Sequence, residues 1–363
     1  MSGTWGKNIR YSIFGESHGE GLGIIIDGLP PGIALDMDEI NFEMNRRRPG
    51  NNPFGTPRNE KDEFRILSGY FENKTTGAPF CIFIQNNNQK SKDYEATKNI
   101  LRPSHADLTA FIKYKGFHDF RGGGHFSGRL TAPLVFAGAV AKQLLKTKNI
   151  FIGAHISQIG GVFDSEFDKV GIGEEILQTL KKKEFPVLDE KKASEMKKLI
   201  LSVKEGKDSV GGTVETAIIN LPAGIGNPFF DSVESSLAHL LFSIPAVKGV
   251  EFGAGFKIAS MNGSKANDEL YMDDDKIKSY TNNNGGILGG ISNGMPVIFK
   301  VAFKPTPSIG KTQRTIDYRT KENEKIEING RHDPCIVPRA LVVVEAVAAM
   351  GILDLMLAGD SLQ

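Results

Sequence analysis

The chain has little cysteine and almost no excess charge, and each shortage excludes classes of protein. Its 363 residues include two cysteines, Cys81 and Cys335. Two cysteines cannot build a disulfide framework or a four-thiolate zinc site, so we expect a reducing, cytoplasmic setting and no metal. Lysine and arginine number 44 against 43 acidic residues, a net charge of +1. This balance does not favour nucleic acid or an anionic membrane as a partner.

Long uninterrupted apolar segments are also missing. Residues 1–7 lack the apolar run of a signal peptide, so we expect none. The most apolar stretch, residues 340–358, contains Glu345 and Asp354 and predicts a buried helix rather than a membrane span. Hydrophobic residues still make up 40% of the chain, enough for a sizeable core. Since no linker or fixed-period repeat interrupts the sequence, we expect one soluble α/β domain over residues 1–363.

Local patterns predict where the main elements lie. Runs bounded by glycine, proline or asparagine predict strands at residues 9–14, 22–26, 79–85, 213–221 and 297–303. Apolar residues at helical spacing predict helices at residues 36–47, 130–145, 189–204, 232–241 and 338–357. Pro133 fits the second helix only if that helix begins near residue 130, because proline is tolerated in the first turn.

Gly15-Glu16-Ser17-His18-Gly19 has the letters of the G-x-S-x-G nucleophile elbow of serine hydrolases. That elbow needs a strand, a sharp turn and a helix, whereas residues 21–26 predict a second strand. The segment therefore predicts a hairpin turn with Ser17 and His18 at its tip. A histidine in such a turn, seen alone, is more often structural than catalytic. A serine hydrolase built on Ser17 remains an alternative.

Residues 121–129, Arg-Gly-Gly-Gly-His-Phe-Ser-Gly-Arg, give the clearest physical signal for ligand binding. Three consecutive glycines expose backbone N–H groups and let a ligand approach closely, and a predicted helix follows. The segment therefore predicts an anion cradle, with a flexible loop as the alternative. It is not a P-loop, because no Gly-Lys-Ser/Thr follows.

A second glycine-rich segment occupies residues 285–294. Paired glycines in a strand indicate that something flat lies against the backbone, although a glycine-rich surface turn is equally compatible. The segment lacks the spacing and the setting of a dinucleotide-binding fingerprint. Lys304-Pro305-Thr306-Pro307-Ser308 follows the next predicted strand as a rigid turn that carries hydroxyls and an ammonium.

Three further segments place charged groups together. Arg46-Arg47-Arg48 ends a predicted helix, either as a favourable cationic terminus or as a bidentate trap for phosphate or carboxylate. In residues 102–107, His105 lies near Arg102 and Asp107, which can tune its protonation. In residues 331–335, Asp333 precedes the last helix, either as a residue at the helix start or as a carboxylate near a cationic site.

Taken together and in this order, these segments resemble the chorismate synthase family. The matching segments are residues 15–19 with 27–30, 46–50, 102–107, 121–129, 246–251, 285–294, 304–308 and 331–334. They extend over effectively the whole chain, from about residue 6 to about residue 357. The resemblance implies a single-domain β-α-β-α sandwich that assembles as a tetramer of paired dimers.

The resemblance also implies the reaction, a 1,4-anti elimination of phosphate from 5-enolpyruvylshikimate 3-phosphate that gives chorismate in aromatic amino acid biosynthesis. The family needs reduced FMN, although the reaction consumes no electrons. On this pattern His18 is an acid near the flavin, His105 is an acid near the leaving phosphate, and Asp333 assists at the flavin N5 region. Ser17 and Ser127 orient reacting groups.

The resemblance further implies the binding residues. Arg47, Arg102 and Arg129 match positions that face phosphate or carboxylates. The implied flavin contacts are His125, Phe126, Ser127, Pro245, Ala246, Gly289, Lys304, Pro305, Thr306, Pro307, Ser308 and Arg331.

This chain departs from the family pattern near its predicted anion sites. His125 and Phe126 stand where many members have Arg and Ser, and Leu130 stands where Glu is common. Residues 51–54 lack an arginine often found there. The electrons for the flavin come either from NADPH or from an external flavin reductase. The other alternative, besides a serine hydrolase, is a non-catalytic flavin-binding protein.

Overall fold

The structure, a computed structural model, describes residues 3–48, 55, 61–87, 98–328 and 332–360. The helices are α1 (Met37–Arg47), α2 (Asp107–Lys113), α3 (Thr131–Thr147), α4 (Glu174–Lys182), α5 (Glu190–Glu205), α6 (Val233–Ser243), α7 (Gly263–Ala266) and α8 (Val337–Asp360). The strands are β1 (Thr4–Trp5), β2 (Arg10–Gly15), β3 (Gly21–Asp27), β4 (Phe64–Ser68), β5 (Tyr70–Phe71), β6 (Lys74–Thr75), β7 (Phe80–Gln85), β8 (Phe151–Ile159), β9 (Val162–Phe163), β10 (Gly212–Ile219), β11 (Val247–Phe252), β12 (Leu270–Asp273), β13 (Lys276–Ser279), β14 (Ile287–Leu288), β15 (Ile291–Ser292), β16 (Val297–Phe303), β17 (Gln313–Asp317) and β18 (Glu322–Ile326).

The first sheet has five antiparallel strands in the order β1-β2-β3-β7-β4. Alternate residues of its central strands are buried, namely Leu22, Ile24 and Ile26 in β3 and Phe80, Ile82 and Ile84 in β7. This period of two puts one apolar face toward the core. The tight connection between β2 and β3 carries Ser17 and His18, as the sequence predicts.

The second sheet is also five-stranded and antiparallel, in the order β11-β16-β10-β8-β9. Both of its faces are covered. Val214 and Ile218 of β10 belong to the main core, while Ala217 and Ile219 belong to a second cluster with Leu177 and Leu180 of α4. Helix α4 therefore lies on the face of this sheet that points away from the first sheet.

Helices α1, α3, α6 and α8 fill the space between the two sheets. Helices α3 and α8 pack closely, because a Cβ at Gly138 would lie 2.3 Å from Cα of Ala346. The main core runs continuously from the first sheet through this helical layer into the second sheet. The layers are therefore sheet, helices, sheet, helix, and the predicted β-α-β-α sandwich is confirmed.

Helix α8 is the one described helix long and apolar enough to cross a membrane, over Val337–Ala358, yet 89% of its most apolar window is buried inside the protein. Its two acids have internal partners. Glu345 pairs with Arg46 and Lys142, while Asp354 accepts hydrogen bonds from the backbone N–H groups of residues 7–9. The prediction of a buried core helix is confirmed.

Candidate active site

The hairpin turn with Ser17 and His18 packs directly on the glycine loop of residues 121–126. The backbone N–H of Ser17 donates to the carbonyl of Gly124 at 3.1 Å, and Nδ1 of His125 donates to the carbonyl of Gly15 at 2.8 Å. A Cβ at Gly122 would lie 2.3 Å from Cδ2 of His18 and 2.8 Å from Oγ of Ser17. Glycine at residue 122 is therefore what lets the two loops meet.

The glycine loop itself has a backbone that other residues rarely adopt. Gly122, Gly123 and Gly124 have φ values of 60°, 87° and 52°. A Cβ at Gly123 would find one heavy atom within 4 Å, on Ser127 at 3.9 Å. Gly122 and Gly123 both line the cavity described below. The loop thus presents bare backbone to the cavity, as expected of a cradle.

Two of the predicted arginines meet at one buried carboxylate. Asp62 accepts from Nε and Nη2 of Arg47 through Oδ2, and from Nη1 of Arg129 through Oδ1. Burial alone would raise the pKa of Asp62, but the two guanidiniums outweigh it and hold that pKa below its ordinary value. Asp62 is therefore a fixed negative charge between two positive ones.

The neighbouring arginines Arg46 and Arg47 serve different purposes. Arg46 pairs with Glu43 and Glu345 in the helical layer and does not line the cavity, whereas Arg47 does. The predicted trap for an anion therefore reduces to Arg47 within this run, and Arg46 joins α1 to α8.

His105 is held from both ring nitrogens. Nδ1 donates to the carbonyl of Pro103 at 3.0 Å, so in the neutral ring Nε2 accepts from the hydroxyl of Ser308 at 2.8 Å. Burial, with the positive charge of Arg102, lowers the pKa of His105 to about 4. In the ligand-free site His105 is thus neutral at pH 7, which is one of the two protonation states that its neighbours in the sequence allow. A bound phosphate would raise that pKa again.

Each remaining charged residue of the site is tied to a neighbour. Arg102 makes a two-pronged contact with Asp107 at 2.8 Å through both Nε and Nη2. Asp333 accepts from Nη1 of Arg339 at 2.6 Å. Nζ of Lys304 donates to the carbonyl of Ser104 at 2.6 Å. These contacts fix the direction of each charge before any ligand binds.

Apart from Arg46 and its partners, the charged groups described above face one cavity of about 1440 Å³. The predicted site residues that line it are Ser17, His18, Arg47, Arg102, His105, His125, Phe126, Ser127, Arg129, Pro245, Ala246, Lys304, Thr306, Pro307, Ser308 and Asp333. Gly289 and Pro305 do not line it, and Arg331 lies outside the described residues. Residues 51–54, where the family pattern differs, also lie outside them.

The second glycine segment adopts the turn that is one of its two sequence interpretations. Gly289 and Gly290, with φ values of 60° and 84°, form the two-residue turn between β14 and β15. The segment is a hairpin with its tip at these glycines, not a strand on which a flat ligand lies. The cavity of this chain does not extend to it.

Two observations support a ligand in this cavity beyond a single small anion. Oγ1 of Thr306 and Nδ1 of His118 are buried without a hydrogen-bond partner among the described residues, and both residues line the cavity. Buried polar atoms of this kind normally have partners. The volume also exceeds that of a typical single-ligand pocket, which reaches about 1000 Å³. The cavity therefore has room and polar partners for a cofactor and a substrate together.

Sequence reasoning missed several residues of this site. Asp62 follows a segment with no recognisable motif, and Arg339 lies among the apolar residues of α8. Asp119 pairs with Arg121 at 2.8 Å. Its place two residues before the glycine loop is a local sequence signal for this site. Trp5, Tyr11 and His239 line the same cavity but gave no polar motif.

A β-α-β-α sandwich whose cavity combines histidines, tethered arginines and a bare glycine loop defines an enzyme that binds anionic substrates. The chain matches the chorismate synthase family model over residues 9–357. It is 49% identical to the chorismate synthase of Methanocaldococcus jannaschii, over 99% of this chain and 97% of that one. It is 47% identical to that of Dehalococcoides mccartyi, over 98% and 97% respectively.

A solved structure, described as the crystal structure of chorismate synthase, matches with a TM-score of 0.77 and 32% sequence identity. The match covers 98% of this chain and 93% of that one. The chain belongs to the chorismate synthase family.

Proposed function

We propose that this protein is a lyase that eliminates phosphate from 5-enolpyruvylshikimate 3-phosphate and releases chorismate, for aromatic amino acid biosynthesis. The observation that carries the proposal is the convergence of His18, His105, Arg47 and Arg129 on one cavity of a chain in this family. A substrate with one phosphate and two carboxylates needs several guanidiniums, and an elimination needs positioned acids.

Reduced FMN is the proposed cofactor, and when bound it supplies a transient electron or charge to the substrate and takes it back. The fit to this chain rests on the cavity's size, the bare backbone at Gly123 and the orphaned Oγ1 of Thr306. Ala246 adds a further sign, because its φ of 75° is strained for an alanine and its carbonyl accepts from the N–H of Lys304. Backbone strain of this kind concentrates at ligand sites.

The flavin-binding set comprises the predicted residues that line the cavity. These are His125, Phe126, Ser127, Pro245, Ala246, Lys304, Thr306, Pro307 and Ser308. Pro305 belongs to the same turn, and Arg331 is proposed from the family pattern alone. The cavity lends no support to Gly289, which stays a prediction of the resemblance.

Within the proposed reaction, His105 acts at the phosphate end. Its Nε2 is the atom that gains a proton when the phosphate dianion raises its pKa, and Ser308 must then rotate its hydroxyl to accept from it. Burial would raise the pKa of Asp119, but hydrogen bonds from Arg121 outweigh it and hold that pKa below its ordinary value, with a smaller contribution from His18, which is the proposed second acid. Asp333, fixed by Arg339, is the proposed carboxylate at the flavin. Ser17 and Ser127 orient these groups from the two loops.

Arg47, Arg102 and Arg129 are the proposed substrate-binding residues. Two of them share Asp62 and the third is clamped by Asp107, so their planar forks are set before the substrate arrives. Such preorganisation removes much of the rotamer entropy that binding would otherwise cost.

The decisive experiment is an anaerobic assay that follows chorismate by its absorbance. We expect turnover with FMN and dithionite, none with oxidised FMN, and many turnovers for each reducing dose. Full activity without flavin would remove the cofactor from the proposal. Flavin binding without any turnover would favour a non-catalytic flavin-binding protein instead.

A serine hydrolase finds no support in the geometry. The turn at Ser17 joins strands β2 and β3, not a strand and a helix, as the elbow requires. Labelling by a fluorophosphonate probe that disappears in Ser17→Ala would revive this alternative.

We also propose that residues 1–363 act as one cytoplasmic domain and assemble as a homotetramer. Exposed apolar side chains at Phe229 and Phe230 and on the β12–β13 hairpin, at Leu270 and Met272, support burial against other copies. Light scattering tests the assembly. Whether NADPH or an external flavin reductase reduces the flavin is decided by an NADPH-driven assay of the purified protein.

A further inference from the structure

The carboxylate of Asp62 is the least exposed charged group of the cavity. Its side chain is fully buried, against 3% exposure for the side chain of Arg47 and 10% for that of Arg129. Both of its oxygens are engaged by guanidinium groups of the two arginines proposed to hold substrate anions. Nothing in the family pattern described above assigns it a role.

Asp62 joins three separate parts of the fold. Arg47 is the last residue of α1, Arg129 lies in the short turn before α3, and Asp62 lies two residues before β4. Thr131, the first residue of α3, lies 3.5 Å from Nη1 of Arg47. The carboxylate thus fixes the C-terminus of α1 against the N-terminus of α3 at the cavity wall.

The backbone of Asp62 lies in the left-handed region. Its φ is 48°, a value that L residues other than Asn and Asp seldom adopt. Aspartate therefore supplies a carboxylate at this position with less backbone strain than most other residues would carry.

The charges around Asp62 have two consequences. Guanidiniums brought side by side repel, and a carboxylate between them sets their separation and direction. The same carboxylate competes with any phosphate for the same N–H groups, because a carboxylate and a phosphate accept from a guanidinium in the same way. A site that must release phosphate as a product benefits from this competition.

We propose that Asp62 is a positioning residue that orients Arg47 and Arg129 and attenuates their hold on phosphate. The expected effect of Asp62 on kcat rests on the proposed function. The expected effect of Asp62 on phosphate affinity does not, because inorganic phosphate can be titrated into the ligand-free protein whether or not turnover occurs.

The test compares Asp62→Asn with Asp62→Glu, at constant ionic strength because salt screens such contacts. Asp62→Asn removes the charge, so phosphate should bind about tenfold more tightly by calorimetry, while kcat falls about tenfold as the arginines lose their orientation. Asp62→Glu keeps the charge and displaces it by one methylene. It should lower kcat while leaving phosphate affinity unchanged.

The matched control is Asp164→Asn, which removes a buried acid paired with His155 outside the cavity. It should change the melting temperature but neither phosphate affinity nor kcat. Wild-type phosphate affinity in a folded Asp62→Asn protein would overturn the proposal. So would wild-type kcat in Asp62→Glu, or failure of both Asp62 variants to fold, since Asp62 would then serve stability alone. An inactive wild-type protein that binds phosphate would refute the proposed function and leave the expected effect on phosphate affinity standing.

Discussion

At the scale of single residues, the two proposed acids differ in how the protein holds them. His105 has partners for both ring nitrogens and a pKa lowered to about 4, whereas His18 faces Gly122 across a turn. Replacing either with Ala should lower kcat by about a hundredfold, the usual contribution of a positioned acid. Stopped-flow or steady-state assay with reduced FMN measures this.

The control for these two variants is retention of the fold and of flavin binding. Flavin affinity and melting temperature should stay near the wild-type values, because neither histidine packs in the core. A variant with near-native turnover would make that histidine structural.

Arg47 and Arg129 allow a sharper comparison, since Arg46 lies beside Arg47 but serves another purpose. Lys cannot reproduce the bidentate fork of Arg. Arg47→Lys and Arg129→Lys should therefore weaken substrate binding by about 1–3 kcal/mol, the range of a lost charge-assisted contact. Equilibrium titration of the substrate against each variant measures this loss of binding free energy.

Arg46→Lys is the matched control for this pair. Arg46 pairs with Glu43 and Glu345 in the helical layer, so its replacement should lower stability and leave substrate affinity alone. Equal losses of affinity in all three variants would mean that the effect passes through α1 rather than through direct contact.

At the scale of elements, the glycine loop depends on the absence of one methyl group. Gly122→Ala would place a Cβ 2.3 Å from the His18 ring, in addition to the strain of a positive φ. We expect kcat to fall about tenfold or more, because small displacements of a catalytic group are costly. Gly32 also has a positive φ, of 81°, but a Cβ there would meet no atom within 4 Å. Gly32→Ala therefore measures the effect of backbone strain without a clash.

In this comparison both variants should lose stability through strain, Gly122→Ala the more because of its added clash, while activity falls in Gly122→Ala alone. A thermal melt and a kcat measurement on each variant suffice. Retained activity in Gly122→Ala would show that the hairpin turn can shift without harm to the site.

The elements that the sequence predicted are those with strong local signals. Strand β16 matches its predicted bounds, and Asp36, Asp189 and Ser232 cap the starts of α1, α5 and α6. Pro133 lies in the first turn of α3, as it must. Helix α4 and strand β8 were not predicted. Strand β8 is buried on both faces, so its sequence lacks a clean alternation of apolar and polar residues.

The residues of the candidate site that the sequence predicted are likewise those with strong local signals. Segments with glycine, histidine and arginine close together in sequence were recognised and do line the cavity. Arg339 was missed because it lies among the apolar residues of α8, although its partner Asp333 is only six residues away. Asp62 was missed because it functions through Arg129, 67 residues away in sequence. Pairings of this kind are set by the tertiary fold, which no local pattern encodes.

At the scale of the whole molecule, stability should depend on a buried charge network beneath the second sheet. His155 is fully buried, with Asp164 at 2.9 Å from Nδ1 and Glu215 at 2.8 Å from Nε2. Two acceptors on one ring require both nitrogens to carry protons, so the ring is cationic. Although burial opposes this, the two carboxylates raise the pKa of His155, and the histidine lowers that of Asp164.

The directions of these two pKa shifts determine how the stability of the protein changes with pH. A raised folded pKa means that the contribution of His155 is complete below about pH 6.5, its unfolded value, and is lost as the pH rises through the folded value. The lowered pKa of Asp164 means that its contribution is present above about pH 3.9 and is lost as the pH falls through its folded value. The network therefore stabilises most between these limits.

Accordingly, His155→Gln should destabilise the protein by about 3–5 kcal/mol at pH 6, because it removes the buried cation that both carboxylates contact and leaves Glu215 with Lys300 at 3.6 Å. The loss should shrink at high pH, where the wild-type imidazole also gives up its proton. Denaturant unfolding at several pH values measures both. Lys278→Gln, in an exposed pair with Asp273, should change stability little at any pH. A loss in His155→Gln that is the same at every pH would mean that the ring is neutral and that packing, not charge, holds this face of the sheet to α4.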